Sequence, residues 1–180
     1  AKEIKIAIIA FQEVKGIFRN DQEALLNSNT TEECYYTNDF VGCGFAIKNE
    51  VYQLTNGFPV WIDIYGEESC LAMEVLALGY EIYYDNKIII NHRIDKLKRL
   101  HQGRNYFRFE KQLKNTIFYY LVYYPNPFCK ICKLLFHNFK KYGLSDKIYF
   151  RLFWKSIVLV IINFRKVLHY RNPVKVKTLQ

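Results

Sequence analysis

The chain has 180 residues, 51% of them hydrophobic, with 15 Tyr, 14 Phe and a formal net charge of +9. That supplies a core for one domain with an appendage, and no apolar run approaches the roughly 20 residues of a membrane-spanning helix. The charge is lopsided: residues 1–125 carry 14 Lys/Arg against 16 Asp/Glu, whereas residues 126–180 carry 12 against the single Asp146. A cationic tail interleaved with aromatics points to an anionic surface. Cys34, Cys43, Cys70, Cys129 and Cys132 are odd in number and irregular in spacing, which reads as reduced thiols rather than a disulfide framework.

In chain order, residues 3–11 (EIKIAIIAF) read as a buried strand; the apolar run is too short and wrongly flanked for a signal peptide. A direct opening on a strand, from Ala1, reads as a piece of something longer. Residues 12–39 are polar and predict a loop with a helical turn near Glu23–Leu26. Residues 40–48 predict a second strand. Gly42 and Gly44 bare one of its faces, either because a ligand or backbone approaches or because the strand bulges. A short helix over 50–55 is closed by Asn56-Gly57, with Gly57 supplying the left-handed cap.

The next stretch, GFPVWIDIYGEESCL (57–71), leads through Phe58, Trp61 and Tyr65 to Gly66 and the adjacent acids Glu67 and Glu68. A short helix follows, running to Gly79, so both carboxylates sit at its N-terminus, where free N–H groups favour an ionised acid. A general base walled by Trp61 and Tyr65 and an ordinary acidic helix start both fit. Strands are predicted over 80–84 and 87–90, separated by Asp85-Asn86, with the second running into Asn91-His92-Arg93. Residues 93–104 are basic and read as a mobile loop, and residues 105–124 as a long helix ended by Pro125.

Beyond it, residues 128–141 place Phe128, Ile131, Leu135 and Phe139 at helical spacing. Cys129, Cys132 and His137 hint at a metal, but no second cysteine pair completes a structural zinc site, and two cysteines one helical turn apart explain the spacing. Residues 147–168 are apolar but broken by Arg151 and Lys155, which predicts an amphipathic helix. It either lies in a headgroup region with Trp154 as anchor or packs on the domain.

Five blocks in order, Phe40-Val41-Gly42-Cys43-Gly44-Phe45-Ala46-Ile47-Lys48, Asn56-Gly57-Phe58-Pro59, Tyr65-Gly66-Glu67-Glu68, Gly79-Tyr80 and Asn91-His92, resemble the acceptor-side half of family-two glycosyltransferases, especially the rhamnosyltransferase-like group. The resemblance implies an α/β fold: the C-terminal portion of a GT-A-like (Rossmann-like) domain over 1–125, then a basic amphipathic helical region over 126–180. It implies inverting transfer of a sugar from a nucleoside-diphosphate sugar to a hydroxyl of a polysaccharide or lipid-linked glycan. Glu68 falls at the base, with Glu67 beside it; Gly42, Gly44, Gly57, Phe58, Trp61 and Tyr65 fall at the acceptor pocket. His92, Arg93 and Arg104 fall at the diphosphate, with His92 a possible ligand of magnesium or manganese.

The pattern also departs from the family. Cys70 stands where the family has Asp and Glu74 where it has Arg, and no Asp-x-Asp occurs. The donor-binding half is therefore expected upstream, together with the remaining ligands of the divalent metal (magnesium or manganese) expected for the full-length enzyme, and this chain alone is not expected to bind nucleotide sugar. Either the chain is part of such an enzyme, cytoplasmic and peripheral on the inner face of the cell membrane, or it is a non-catalytic docking module whose surface is the cationic tail. Nucleic acid is not an expected partner.

Overall fold

Alternation of buried and part-exposed residues organises the sheet. A computed structural model describes residues 5–175 and 178, and of Arg104 the backbone alone. Strand β1 runs Ile6–Gly16 and buries Ile8, Ala10, Gln12 and Val14 on one face. Helix α1 (Asp21–Leu26) starts at Asn20, whose side chain accepts from the Glu23 N–H. Strands β2 (Cys34–Thr37) and β3 (Phe45–Ile47) and the one-turn helix α2 (Asn49–Tyr52) follow. Helix α3 spans Glu67–Ala77, β4 Glu81–Arg93 and α4 Lys96–His101. Helices α5 (Arg104–Tyr123), α6 (Pro127–Asn138) and α7 (Lys147–Leu168) complete the chain, with a π-helical turn over Phe139–Gly143.

The fold is mixed α/β. One four-stranded sheet has the order β2-β4-β1-β3, in which β1 and β4 are parallel and the two outer pairings antiparallel. The chain divides into two compact units, Ala1–Pro59 with Glu68–Arg99, and Val60–Glu67 with Leu100–Gln180. The first holds the sheet, and its core joins Ile8 and Ala10 of β1 and Ile82 of β4 to Leu71, Ala72 and Val75 of α3. In the second, α5 packs with α7 and also holds the 60–67 segment, Asn115 donating to the Ile64 and Tyr65 carbonyls. There Ser156 of α7 donates to the Glu110 carbonyl at 3.2 Å, and Phe109 meets Tyr142 and Tyr149.

Several expectations need correcting. The strand read over 40–48 is only Phe45–Ile47, because Gly42–Gly44 form a turn. The polar segment 12–39 contains β2, and the loop read over 93–104 contains α4. Residues 80–90 hold no break between strands: β4 is one strand of 13 residues, with a register shift against β1 where Asp85 pairs Phe11 and Ile89 pairs Gln12.

Asn86, in that bulge, is buried because it works as a bracket. Its side-chain amide donates to the Thr31 carbonyl at 2.5 Å, its Oδ1 accepts from the Glu33 N–H at 3.1 Å, and its backbone carbonyl accepts from Gln12 Nε2 at 3.0 Å. Thr31 and Glu33 are themselves exposed, so water replaces part of what a substitution removes. Asn86→Ala is expected to cost about 1–2 kcal/mol, read as a lower urea midpoint at unchanged m.

Candidate functional site

Parallel strands bring their C-terminal ends to the same edge of a sheet, and in open α/β sheets that edge is where ligands sit. Here the pairing of Lys15 with His92 aligns the ends of β1 and β4. Side chains alternate along a strand, so Glu13 and Lys15 share one face, and His92, opposite Lys15, joins it. His92 Nδ1 meets a Glu13 carboxylate oxygen directly, and the Lys15 ammonium pairs with the other oxygen at 2.6 Å. The Glu13 side chain is only 8% exposed.

A third group arrives from the Gly42–Gly44 turn. The Phe11 N–H donates to the Gly44 carbonyl at 3.0 Å, and a Cβ on Gly44 would lie 2.5 Å from Ile90 Cγ1. The missing side chain therefore lets the turn close onto the sheet. That closure sets Cys43 beside Glu13 and His92, with one potential ligand atom from each of the three within 4.8 Å of the others. Burial alone would raise the Glu13 carboxyl, but hydrogen bonds from Lys15, His92 and Cys43 outweigh it and hold the acid below its usual range. The Cys43 thiol is pushed the other way, to about 11, by burial and by the negative charge of Glu13. A thiol so raised is protonated at neutral pH and is no nucleophile.

The same turn holds Glu68. The Gly42 N–H donates to Glu68 Oε1 at 3.2 Å, and a Cβ on Gly42 would stand 2.4 Å from that oxygen. One residue on, Ser69 Oγ donates to Asp39 Oδ2 at 2.9 Å, so α3 grips both ends of the 39–42 segment. Glu67 and Glu68 are the first two residues of α3, where the helix N-terminus favours negative charge. Glu67 Oε2 is buried with no hydrogen-bond partner among the described residues.

The remaining expected residues are distributed as follows. Gly57 has the left-handed backbone expected of a cap, φ 64°, and Phe58 is exposed near Phe45. Trp61 and Tyr65 belong to the second unit: Trp61 is buried against Phe118 and Tyr123, while Tyr65 meets Phe107 and lies under the Arg108 guanidinium. Arg93 is exposed and makes a loose ion pair with Asp21 at 3.5 Å. The Arg104 side chain lies outside the described residues. Cys129 and Cys132 are exposed on α6 and join no metal-ligating group among the described residues. A cavity of about 570 Å³ in the second unit, lined by Arg108, Gln112, Thr116 and Tyr142 among others, includes none of the expected site residues.

Glu74 is explained by its surroundings. Its carboxylate accepts from the Asn56 backbone N–H at 2.6 Å and from Asn56 Nδ2 at 3.1 Å, so it pins the turn leading into Gly57. Glu13 is the residue that sequence reasoning passed over. It falls in the polar segment read as a loop, whereas β1 continues through it to Gly16, and only the parallel pairing with β4 shows what it meets.

The donor set bears on the expected metal. Magnesium demands oxygen ligands in near-octahedral geometry. The groups around His92 are one carboxylate, one thiol and one imidazole, and they do not fit it. Compared with known proteins, the chain matches no family model, no curated protein and no solved structure.

Proposed function

We propose that the chain is the acceptor-side part of an inverting glycosyltransferase of the GT-A type, with Glu68 as the base. The observation that carries this is the Gly42–Glu68 hydrogen bond. It joins the glycine block to the acid block across 26 residues of sequence, and the next residue, Cys43, belongs to the cluster with His92. Blocks that resemble the family separately are thus neighbours in the folded unit. An acceptor alcohol is a weak nucleophile until a base takes its proton. In this reading the hydroxyl oxygen forms the new bond to the anomeric carbon, its proton passes to the Glu68 carboxylate, and the sugar–diphosphate bond breaks with its electron pair on the diphosphate. Lys15 and Arg93, at the ends of β1 and β4, supply positive charge at that edge of the sheet.

The reading is tested in the longest natural polypeptide that contains this chain, assayed for transfer from nucleoside-diphosphate sugars. Turnover by Glu68→Gln equal to the unaltered protein would remove the proposed base.

A second property of the same protein follows from α7. Phe150, Trp154, Val158, Ile161 and Phe164 recur at helical spacing and are all exposed, Trp154 by 49% and Ile161 by 68%. Lys147, Arg151 and Arg165 flank this stripe. Among the described residues no helix is long and apolar enough to cross a membrane. An apolar stripe edged by cations suits the headgroup region of an anionic bilayer. Flotation with phosphatidylserine-containing vesicles is expected, with little on zwitterionic vesicles, and Trp154→Ser with Ile161→Ser should abolish it. Undiminished flotation of the double variant would rule this stripe out.

A further inference from the structure

We infer that Glu13, Cys43 and His92 form a zinc-type metal site with three protein ligands and an open fourth position. The assignment rests on these three side chains alone and is independent of the glycosyl-transfer reading. It uses what that reading leaves unexplained: a thiol, an imidazole and an almost buried carboxylate gathered at one sheet edge, contributed by three separate segments of chain.

Donor chemistry selects the ion. Thiolate and imidazole are borderline-to-soft donors that suit zinc, cobalt and their neighbours, whereas magnesium and calcium want oxygen. Zinc takes sulfur at about 2.3 Å and nitrogen or oxygen at about 2.0–2.2 Å, so tetrahedral donors stand about 3.3–3.7 Å apart. The three donor atoms already lie within 4.8 Å of one another, so shifts on the order of 1 Å, Cys43 inward and the His92 ring off the Glu13 oxygen it now touches, complete the arrangement. Cys43 can make its shift, since it lies in a turn between two glycines and not in a paired strand.

Charge also closes. Binding releases the Cys43 thiol proton to solvent, leaving thiolate, carboxylate and neutral imidazole around a dication. Lys15 stays on the second Glu13 oxygen, where it orients the carboxylate as outer-shell partners of metal ligands do. Three protein ligands with a vacant position is the pattern of zinc sites that admit water or another oxygen ligand.

The test is metal titration of the chelator-treated chain. Cobalt(II) is expected to bind at one equivalent with a thiolate-to-cobalt charge-transfer band and the visible bands of a tetrahedral ion, and zinc should displace it. Cys43→Ser abolishes the charge-transfer band. Glu13→Gln and His92→Gln each weaken binding by more than about 100-fold, beyond what loss of an outer-shell partner costs. Cys129→Ser with Cys132→Ser leaves the spectrum unchanged. The cobalt spectrum and its displacement by zinc are read on the unaltered chain and need no variant to fold. The assignment is overturned by absence of cobalt uptake, by a band that survives Cys43→Ser or disappears with the Cys129/Cys132 pair, or by magnesium displacing zinc at comparable concentration.

Discussion

With Glu68 as the proposed base, Glu68→Gln is expected to lower the proposed sugar transfer by about 10²–10⁴-fold, the range a positioned general base contributes, while leaving the melting temperature within a few degrees. The two effects separate because the amide keeps the contact that holds the site. Its carbonyl oxygen still accepts from the Gly42 N–H, now at 3.2 Å from Glu68 Oε1, but it cannot take a proton from an alcohol. Gly42→Ala should fall between the two proteins. A Cβ there would stand 2.4 Å from Glu68 Oε1 and 2.9 Å from Cγ, so the carboxylate must swing aside while remaining a competent base. The order of rates, unaltered above Gly42→Ala above Glu68→Gln, is specific to a base positioned by this turn. Equal loss in both variants accompanied by a large drop in melting temperature would instead make the contact structural. Neither result touches the metal assignment, which is read on the bare chain by spectroscopy.

How much of this was legible in the sequence depends on whether a local pattern or a distant partner decides each residue. The apolar, β-branched run KIAIIAF announces the start of β1, though not its continuation to Gly16, and the spacing of 105–124 and 147–168 announces α5 and α7 to within a residue or so. Asp85-Asn86 misled for a definable reason: an Asx pair between apolar runs is turn chemistry. Here the Asn86 side chain spends its hydrogen bonds on the 29–33 segment and the strand continues through a bulge. Strand β2 has only four residues in polar surroundings, and its tyrosines become strand residues by pairing with Tyr83 and Tyr84. The glycines at 42 and 44 were readable as places of close approach, but what approaches was not. Glu68 and Ile90 lie 26 and 46 positions away, and no spacing rule reaches that far. Glu13 was invisible on the same ground, since its partner His92 comes 79 residues later.

Asn115→Ala is expected to cost about 2–4 kcal/mol, at the upper end of what one buried polar side chain contributes. Asn115 is 2% exposed and lies mid-way along α5. Its amide donates to the Ile64 carbonyl at 2.7 Å and to the Tyr65 carbonyl at 2.9 Å. Those carbonyls belong to a strained corner: Tyr65 has φ 68° and Gly66 φ 103°, and a left-handed tyrosine costs on the order of 1 kcal/mol or more unless its surroundings hold it. Alanine at 115 leaves both carbonyls without their donor and releases the corner. The diagnostic comparison is Asn115→Asp, which keeps shape and volume but sets carboxylate oxygens against two carbonyl oxygens. If the hydrogen bonds hold the corner, Asp must be worse than Ala. If side-chain volume under the corner matters more, Asp must be the milder change. Chemical denaturation of the two variants decides between them, and an Asp variant as stable as the parent would show that the corner is held instead by Trp61 in its packing with Phe118 and Tyr123.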